Sequence, residues 1–152
     1  GTELGVTEPK AAFSACFGQA FLLLHPTKYA DILGKKMDEH QANAYLVNTG
    51  WTGGKYGVGK RMSLSVTRKI IDVILDGTIE RSKFYTMPIF NIDLPETVAG
   101  LDRSVLNPRE SWADKNAYDA VAKQLAQMFI NNFSRFTDNE AGKALVSAGP
   151  QI

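Results

Sequence analysis

Residues 48–68 read NTGWTGGKYGVGKRMSLSVTR, and the placing of glycines, cations and hydroxyls in this stretch decides how the rest of the chain is understood. An apolar run, Ala44-Tyr45-Leu46-Val47, leads into it and an amphipathic run over residues 66–75 leads out. Between them stand Gly50, Gly53, Gly54, Gly57 and Gly59, the pair Lys60-Arg61, and the hydroxyls of Ser63 and Ser65. Strand, glycine-rich turn and helix, in that order, let bare backbone N–H groups approach an anionic ligand. A nucleotide held by this chain is expected here.

The spacing nearly makes a phosphate-binding P-loop, which needs a glycine, four residues, then Gly-Lys-Ser/Thr. Residues 54–60 meet the pattern as far as Lys60, but Arg61 stands where the hydroxyl should be. That hydroxyl normally ligates magnesium, and a guanidinium cannot. Tyr56 and Val58 also separate the glycines. On these residues alone three readings stay open: an aberrant P-loop, a glycine-rich surface loop flanked by cations, and a nucleotide contact without Walker-type chemistry.

Composition narrows the class. The chain has 152 residues, 44% hydrophobic and 22% charged, which is the make-up of one ordinary globular domain and not of a disordered or membrane protein. Seventeen basic residues against sixteen acidic ones give a formal charge of +1, so bulk charge argues for neither nucleic acid nor membrane binding, and any basic site must be local. The single cysteine, Cys16, rules out an internal disulfide and a cysteine-built zinc site, in keeping with a reducing cytosol. The opening Gly-Thr-Glu-Leu-Gly is neither an initiator methionine nor a tag and reads as the middle of something longer.

Taken in order, residues 1–19 lack a period and read as a frayed terminus or as a loop that packs over a site. Residues 20–24 are expected to be a short buried strand, ended by His25-Pro26, with Pro26 opening a helix that carries Tyr29, Ile32, Leu33 and Met37. His25 is expected to cap or pack. A second strand is expected over residues 44–47, then a helix from an N-cap at Ser65 to Leu75, with Val66, Ile70, Val73 and Ile74 on its apolar face and Asp76-Gly77 as its stop. Residues 84–94 read as one edge or bent strand interrupted by Pro88, and residues 95–108 as a long loop. Ser111 or Asp114 is expected to cap the longest helix, whose stripe of Tyr118, Val121, Leu125, Met128, Phe129, Asn132, Phe133 and Phe136 reads as core. Thr137 and Glu140 are spaced as a capping box for a last short helix. The class is mixed α and β, with a helical C-terminal third and few strands for one lobe of an α/β protein.

A set of short words then carries a family resemblance: Thr7-Glu8-Pro9, Phe13-Ser14-Ala15-Cys16-Phe17-Gly18, Leu24-His25-Pro26-Thr27-Lys28-Tyr29-Ala30, Leu46-Val47-Asn48-Thr49-Gly50-Trp51, Gly59-Lys60-Arg61, Thr67-Arg68 with Ile70-Ile71-Asp72, and Leu106-Asn107-Pro108-Arg109 with Trp112-Ala113-Asp114. In this order and register the chain resembles the C-terminal part of the ATP-dependent phosphoenolpyruvate carboxykinases along its whole length. The resemblance implies a single C-terminal nucleotide-binding lobe of a longer enzyme. Residues 1–16 would be a lid-like loop, 44–76 a strand–loop–helix adenine site and 111–149 a helical tail.

It also implies the reaction, oxaloacetate and ATP giving phosphoenolpyruvate, CO2 and ADP in gluconeogenesis. Mg2+ sits on the nucleotide with Mn2+ as a second ion, in a cytoplasmic enzyme, monomeric when complete, that engages small molecules and neither nucleic acid nor membrane. The family's P-loop, its metal ligands and its oxaloacetate-binding arginine would lie upstream, leaving no catalytic or metal-binding residue here. What falls to this chain is the adenine end of ATP: Arg61 and Met62 flanking the purine and Thr67 touching it from the start of the helix. A guanidinium plane stacks well on a base, and methionine is an adaptable apolar contact. Residues 53–58 take no ligand role in this reading. Alternatives are a non-catalytic nucleotide-binding fragment, a structural or interaction domain resting on the Phe129, Phe133 and Phe136 stripe, and the GTP-dependent branch of the same chemistry. Strands left without the rest of their sheet predict poor folding in isolation.

Overall fold

The computed structural model describes Leu4, Gly5, Thr7, residues 12–14 and residues 18–152. Most of the expected lid over residues 1–16, Cys16 included, lies outside the described residues. The chain divides into two compact units, Gly1–Tyr45 with Asn131–Val146, and Leu46–Ile130 with Ser147–Ile152.

The first unit is built on helix α1, Pro26–His40. Pro26 stands at the helix start, where a missing N–H costs no intrahelical bond. His25 is the cap, as expected, its Nδ1 accepting from the Thr27 N–H at 3.3 Å. The Asn139 side-chain amide approaches the same nitrogen at 3.3 Å. With Nδ1 accepting, the ring proton belongs on Nε2, which faces Asp138 Oδ1 at 3.4 Å. Gln41 ends α1 at φ +50°, its N–H turned back to the last carbonyls.

The expected strand over residues 20–24 is not formed. A 3₁₀ turn, Gln19–Phe21, leads into an exposed stretch in which the Leu23 and Leu24 N–H groups both donate to the Tyr29 hydroxyl, at 3.2 and 3.3 Å. A strand needs a neighbour for its backbone groups, and none among the described residues pairs with this one. Residues 44–47 form no strand for the same reason. Ile32 and Leu33, expected on a packed helix face, are exposed.

The last short helix is α6, Glu140–Ala144, and its cap is Asn139, whose Oδ1 accepts from the Gly142 N–H at 2.9 Å. Thr137 was the expected cap. Its hydroxyl instead donates to the Ser134 carbonyl at 2.7 Å. Gly142 is required here, because a Cβ would collide with the Phe136 carbonyl.

The second unit holds two antiparallel hairpins. The first pairs β1, Trp51–Thr52, with β2, Lys60–Arg61. It runs into α2, Leu64–Leu75, which is capped by Ser63 and not by Ser65: the Ser63 hydroxyl accepts from the Val66 N–H at 3.3 Å. The apolar face is the expected one, with Val66, Ile70 and Ile74 half-buried and Val73 wholly enclosed. Asp76 and Gly77, at φ +71°, end the helix as foreseen.

Residues 84–94 are two strands, not one. β3, Phe84–Met87, and β4, Ile92–Pro95, pair with Tyr85 opposite Leu94 and Met87 opposite Ile92. Pro88 falls in the turn, where its lack of a donor does no harm. Ile89 takes φ +74° in that turn, an uncommon conformation for a β-branched residue, and its carbonyl accepts from the Gln151 N–H at 2.7 Å. The expected loop over residues 95–108 contains one helical turn, α3, Arg103–Leu106.

After α4, Pro108–Ser111, comes α5, Lys115–Phe133, capped by Asp114, whose Oδ1 accepts from the N–H groups of Asn116 and Ala117 at 2.9 and 3.0 Å. The expected core stripe on α5 is displaced. Ala122 and Ala126 are the buried positions, while Val121, Leu125, Met128 and Phe129 remain about two-fifths exposed. Alanine side chains are small enough to be covered whole, while the larger side chains around them keep part of their surface in solvent. The core of this unit is Val73, Ile79 and Val98 with those two alanines.

Candidate functional site

The glycine-rich stretch folds as strand, loop, strand, helix, and not as the strand, loop, helix expected from its residues. β2 lies between the loop and α2. The loop closes on itself: the Lys55 carbonyl accepts from both Val58 and Gly59 N–H, at 3.0 and 2.9 Å. Those N–H groups are therefore taken up internally, whereas a phosphate cradle needs them pointing outward. Gly59 allows the close approach, since a Cβ there would stand 2.8 Å from the Thr52 carbonyl oxygen. The P-loop reading fails on backbone geometry as well as on Arg61.

Two polar side chains set the frame of the hairpin. Asn48 accepts from the Gly50 N–H at 2.9 Å through Oδ1 and donates to the Trp51 carbonyl at 3.0 Å through Nδ2, a local turn that aims β1. Ser111 Oγ accepts from the Gly53 N–H at 3.2 Å while donating to the Pro108 carbonyl at 2.7 Å, which ties the far end of β1 to α4. Sequence reasoning assigned neither residue this role. The Asn-x-Gly spacing of a turn was legible for Asn48, but nothing local marks Ser111, which is 58 residues from Gly53.

α4 is in turn fixed to α5 by the Arg109–Asp119 pair, Nε to Oδ1 at 2.8 Å and Nη2 to Oδ2 at 2.9 Å. The Arg109 guanidinium holds the Asp119 carboxyl below the usual carboxylate range, and Asp119 raises Arg109 in return.

The three residues expected at the adenine lie along the junction of β2 and α2. Arg61 ends β2, directly opposite Trp51. It is exposed, and no acidic partner engages it among the described residues. The same holds for Lys60 and Arg68. Met62 is half-buried, and its N–H donates to the Gly50 carbonyl at 2.7 Å, extending the hairpin by one bond.

Thr67 lies one turn into α2, and its hydroxyl donates to the Ser63 carbonyl at 3.2 Å. With its proton engaged, the Thr67 oxygen faces any ligand as an acceptor. An acceptor suits the exocyclic amino group of adenine and not the carbonyl that guanine carries at the equivalent position. The junction thus offers a planar cation, an adaptable apolar side chain and a fixed acceptor.

Among the described residues no group of three or more His, Cys, Asp and Glu side chains is arranged to hold a metal ion. Nor is any helix among them long and apolar enough to cross a membrane.

Comparison with known proteins gives one consistent family. The sequence profile of phosphoenolpyruvate carboxykinase matches residues 1–104. A phosphoenolpyruvate carboxykinase (ATP) of Campylobacter lari (strain RM2100) is 53% identical over 152 residues, and one of Campylobacter jejuni subsp. jejuni (strain 81-176) is 51% identical over the same span. Each alignment covers 100% of this chain and 29% of the relative. The chain therefore spans under a third of the length of these proteins.

Proposed function

The chain belongs to the ATP-dependent phosphoenolpyruvate carboxykinase family, and on that premise we propose that it supplies the adenine-binding side of the ATP site in an enzyme converting oxaloacetate and ATP to phosphoenolpyruvate, CO2 and ADP. Arg61 stacks on the purine, Met62 packs against it, and Thr67 accepts from its amino group. The observation that supports the reading is the hairpin–helix junction, along which these three residues lie, with Arg61 free of an acidic partner among the described residues.

In this reaction decarboxylation leaves an enolate, whose oxygen attacks the γ-phosphoryl group of ATP and releases ADP. The base lies at the far end of ATP from that bond. Contacts to it hold substrate and transition state alike, so they act on nucleotide binding and not on the chemical step.

The described residues do not fit a divalent-ion site. The proposal leaves Mg2+ and Mn2+, the phosphate cradle and the oxaloacetate-binding arginine to parts of the enzyme upstream. Residues 1–16 belong to the same proposal as a lid that excludes water, since an enolate open to solvent would be protonated to pyruvate. So do one C-terminal lobe over residues 1–152, a monomeric complete enzyme, the cytoplasm as its compartment and gluconeogenesis as its role. The exposed apolar residues of α1 and α5 support a lobe that packs against further protein.

The test is phosphoenolpyruvate formation from oxaloacetate by the full-length protein, with ATP and GTP compared as donors. ATP is expected to support turnover at least about fivefold more efficiently than GTP, the low end of what one mismatched hydrogen bond gives. Equal use of both would overturn the Thr67 assignment, and activity with neither would overturn the function.

A further inference from the structure

Two aromatic side chains of the hairpin that carries Arg61 have no part in that reading. Trp51 is directly opposite Arg61 in the hairpin, and directly paired residues in antiparallel strands project from the same face. Tyr56, from the loop, meets the Trp51 ring edge-to-face, with centroids 5.5 Å apart and planes at 84°. An edge-to-face pair uses one face of one ring and an edge of the other, so each ring keeps at least one face outside the contact. Among the described residues no other ring and no cation lies on either of them.

Both are well exposed, Trp51 by 41% and Tyr56 by 53%. Their position is nonetheless set from the backbone. Asn48 Nδ2 donates to the Trp51 carbonyl at 3.0 Å, and the hydrogen bonds from the Val58 and Gly59 N–H groups to the Lys55 carbonyl close the turn that carries Tyr56. A held aromatic ledge next to a planar cation is the make-up of a base-stacking site, in which rings and guanidinium planes share the faces of a nucleobase.

We propose that Tyr56, held on edge against Trp51, is a further contact to the base of the nucleotide whose other contact is Arg61. The inference rests on the adenine-site reading and extends it to the glycine-rich loop. It gives that loop a reason for an aromatic residue at its tip, where a small or charged one would close the same turn. Trp51 acts through Tyr56, as a positioning residue.

Tyr56 is exposed, so its replacement leaves folding intact, and three variants of the full-length protein separate stacking from mere bulk. Tyr56→Ala and Tyr56→Leu are expected to raise the Michaelis constant for ATP roughly 5- to 150-fold, the range of one lost base stack. Tyr56→Phe is expected to restore it to within about twofold, since the ring face is what stacks. The constant for oxaloacetate should not follow. A change below twofold in Tyr56→Ala, a normal Tyr56→Leu, or an equal rise in the oxaloacetate constant overturns the proposal. Arg61→Ala, measured alongside, locates any failure. If Arg61→Ala weakens ATP and Tyr56→Ala does not, only the Tyr56 contact is wrong; if neither does, the adenine site itself is misplaced.

Discussion

Replacing Arg61 by alanine is expected to raise the Michaelis constant for ATP about 10- to 100-fold while leaving that for oxaloacetate unchanged. A cation over an aromatic ring contributes from about 0.5 kcal/mol when exposed to 2 or more when desolvated, and stacking on a base about 1–3 kcal/mol. Each 1.4 kcal/mol or so is a factor of ten. Arg61 draws on both effects and, among the described residues, has no ion pair to lose, so its removal takes away ligand binding and little else. Because the base is far from the transferring phosphoryl group, the loss should fall on the ATP constant, with turnover at saturation largely kept. Arg61→Lys should recover only part of it, since an ammonium lacks the planar face. Steady-state kinetics with each substrate varied in turn would show this. An ATP constant that stays within twofold of wild type would remove Arg61 from the site.

Gly59→Ala is expected to damage the site through the backbone. A Cβ at Gly59 would stand 2.8 Å from the Thr52 carbonyl and closer still to that of Gly54. Both neighbours are backbone atoms of the hairpin, so no flexible side chain can move aside and β1 and β2 must part. The bond from Met62 N–H to Gly50 O, 2.7 Å, lies just beyond and would be strained or lost. The expected result is an ATP constant raised about tenfold or more together with a stability loss of about 1–3 kcal/mol, the usual range for overpacking. Thermal unfolding should fall by a few degrees. Gly50→Ala is the control, because a Cβ there would meet only Asn48 Oδ1, at 3.4 Å. A Gly59→Ala protein as stable and as tight for ATP as Gly50→Ala would show that the hairpin does not fix the site.

Local signals in this sequence were readable and long-range ones were not. Pro26 at the start of α1, the Asp76-Gly77 stop and the Asp114 cap are each set by a few adjacent residues, and the structure places them as expected. Errors of cap choice arose where two hydroxyl or amide residues stood close together. Ser63 took the place of Ser65 and Asn139 that of Thr137, because the capping oxygen must reach a particular N–H and spacing alone does not say which will.

Apolar content suggests strands over residues 20–24 and 44–47, yet a strand is a property of pairing. Neither stretch has a partner among the described residues. The α5 stripe failed for a related reason. Helical spacing finds a face but not how deeply each position on it is buried: the small Ala122 and Ala126 are covered, while Val121, Leu125, Met128 and Phe129 stay partly exposed. The candidate site residues follow from the family resemblance. The residues alone left three readings open at Arg61, and the hairpin geometry then argued against the P-loop.

The most direct test of the central claim is photolabelling of the full-length protein with 8-azido-ATP, followed by mass-spectrometric mapping of the modified peptide. The azide sits on the adenine ring, so it reports the base and not the phosphates. Label within the hairpin and the first turn of α2, between Trp51 and Thr67, and its suppression by excess ATP, is the result the account predicts. Label that ATP suppresses equally well but that maps wholly outside this chain would contradict it.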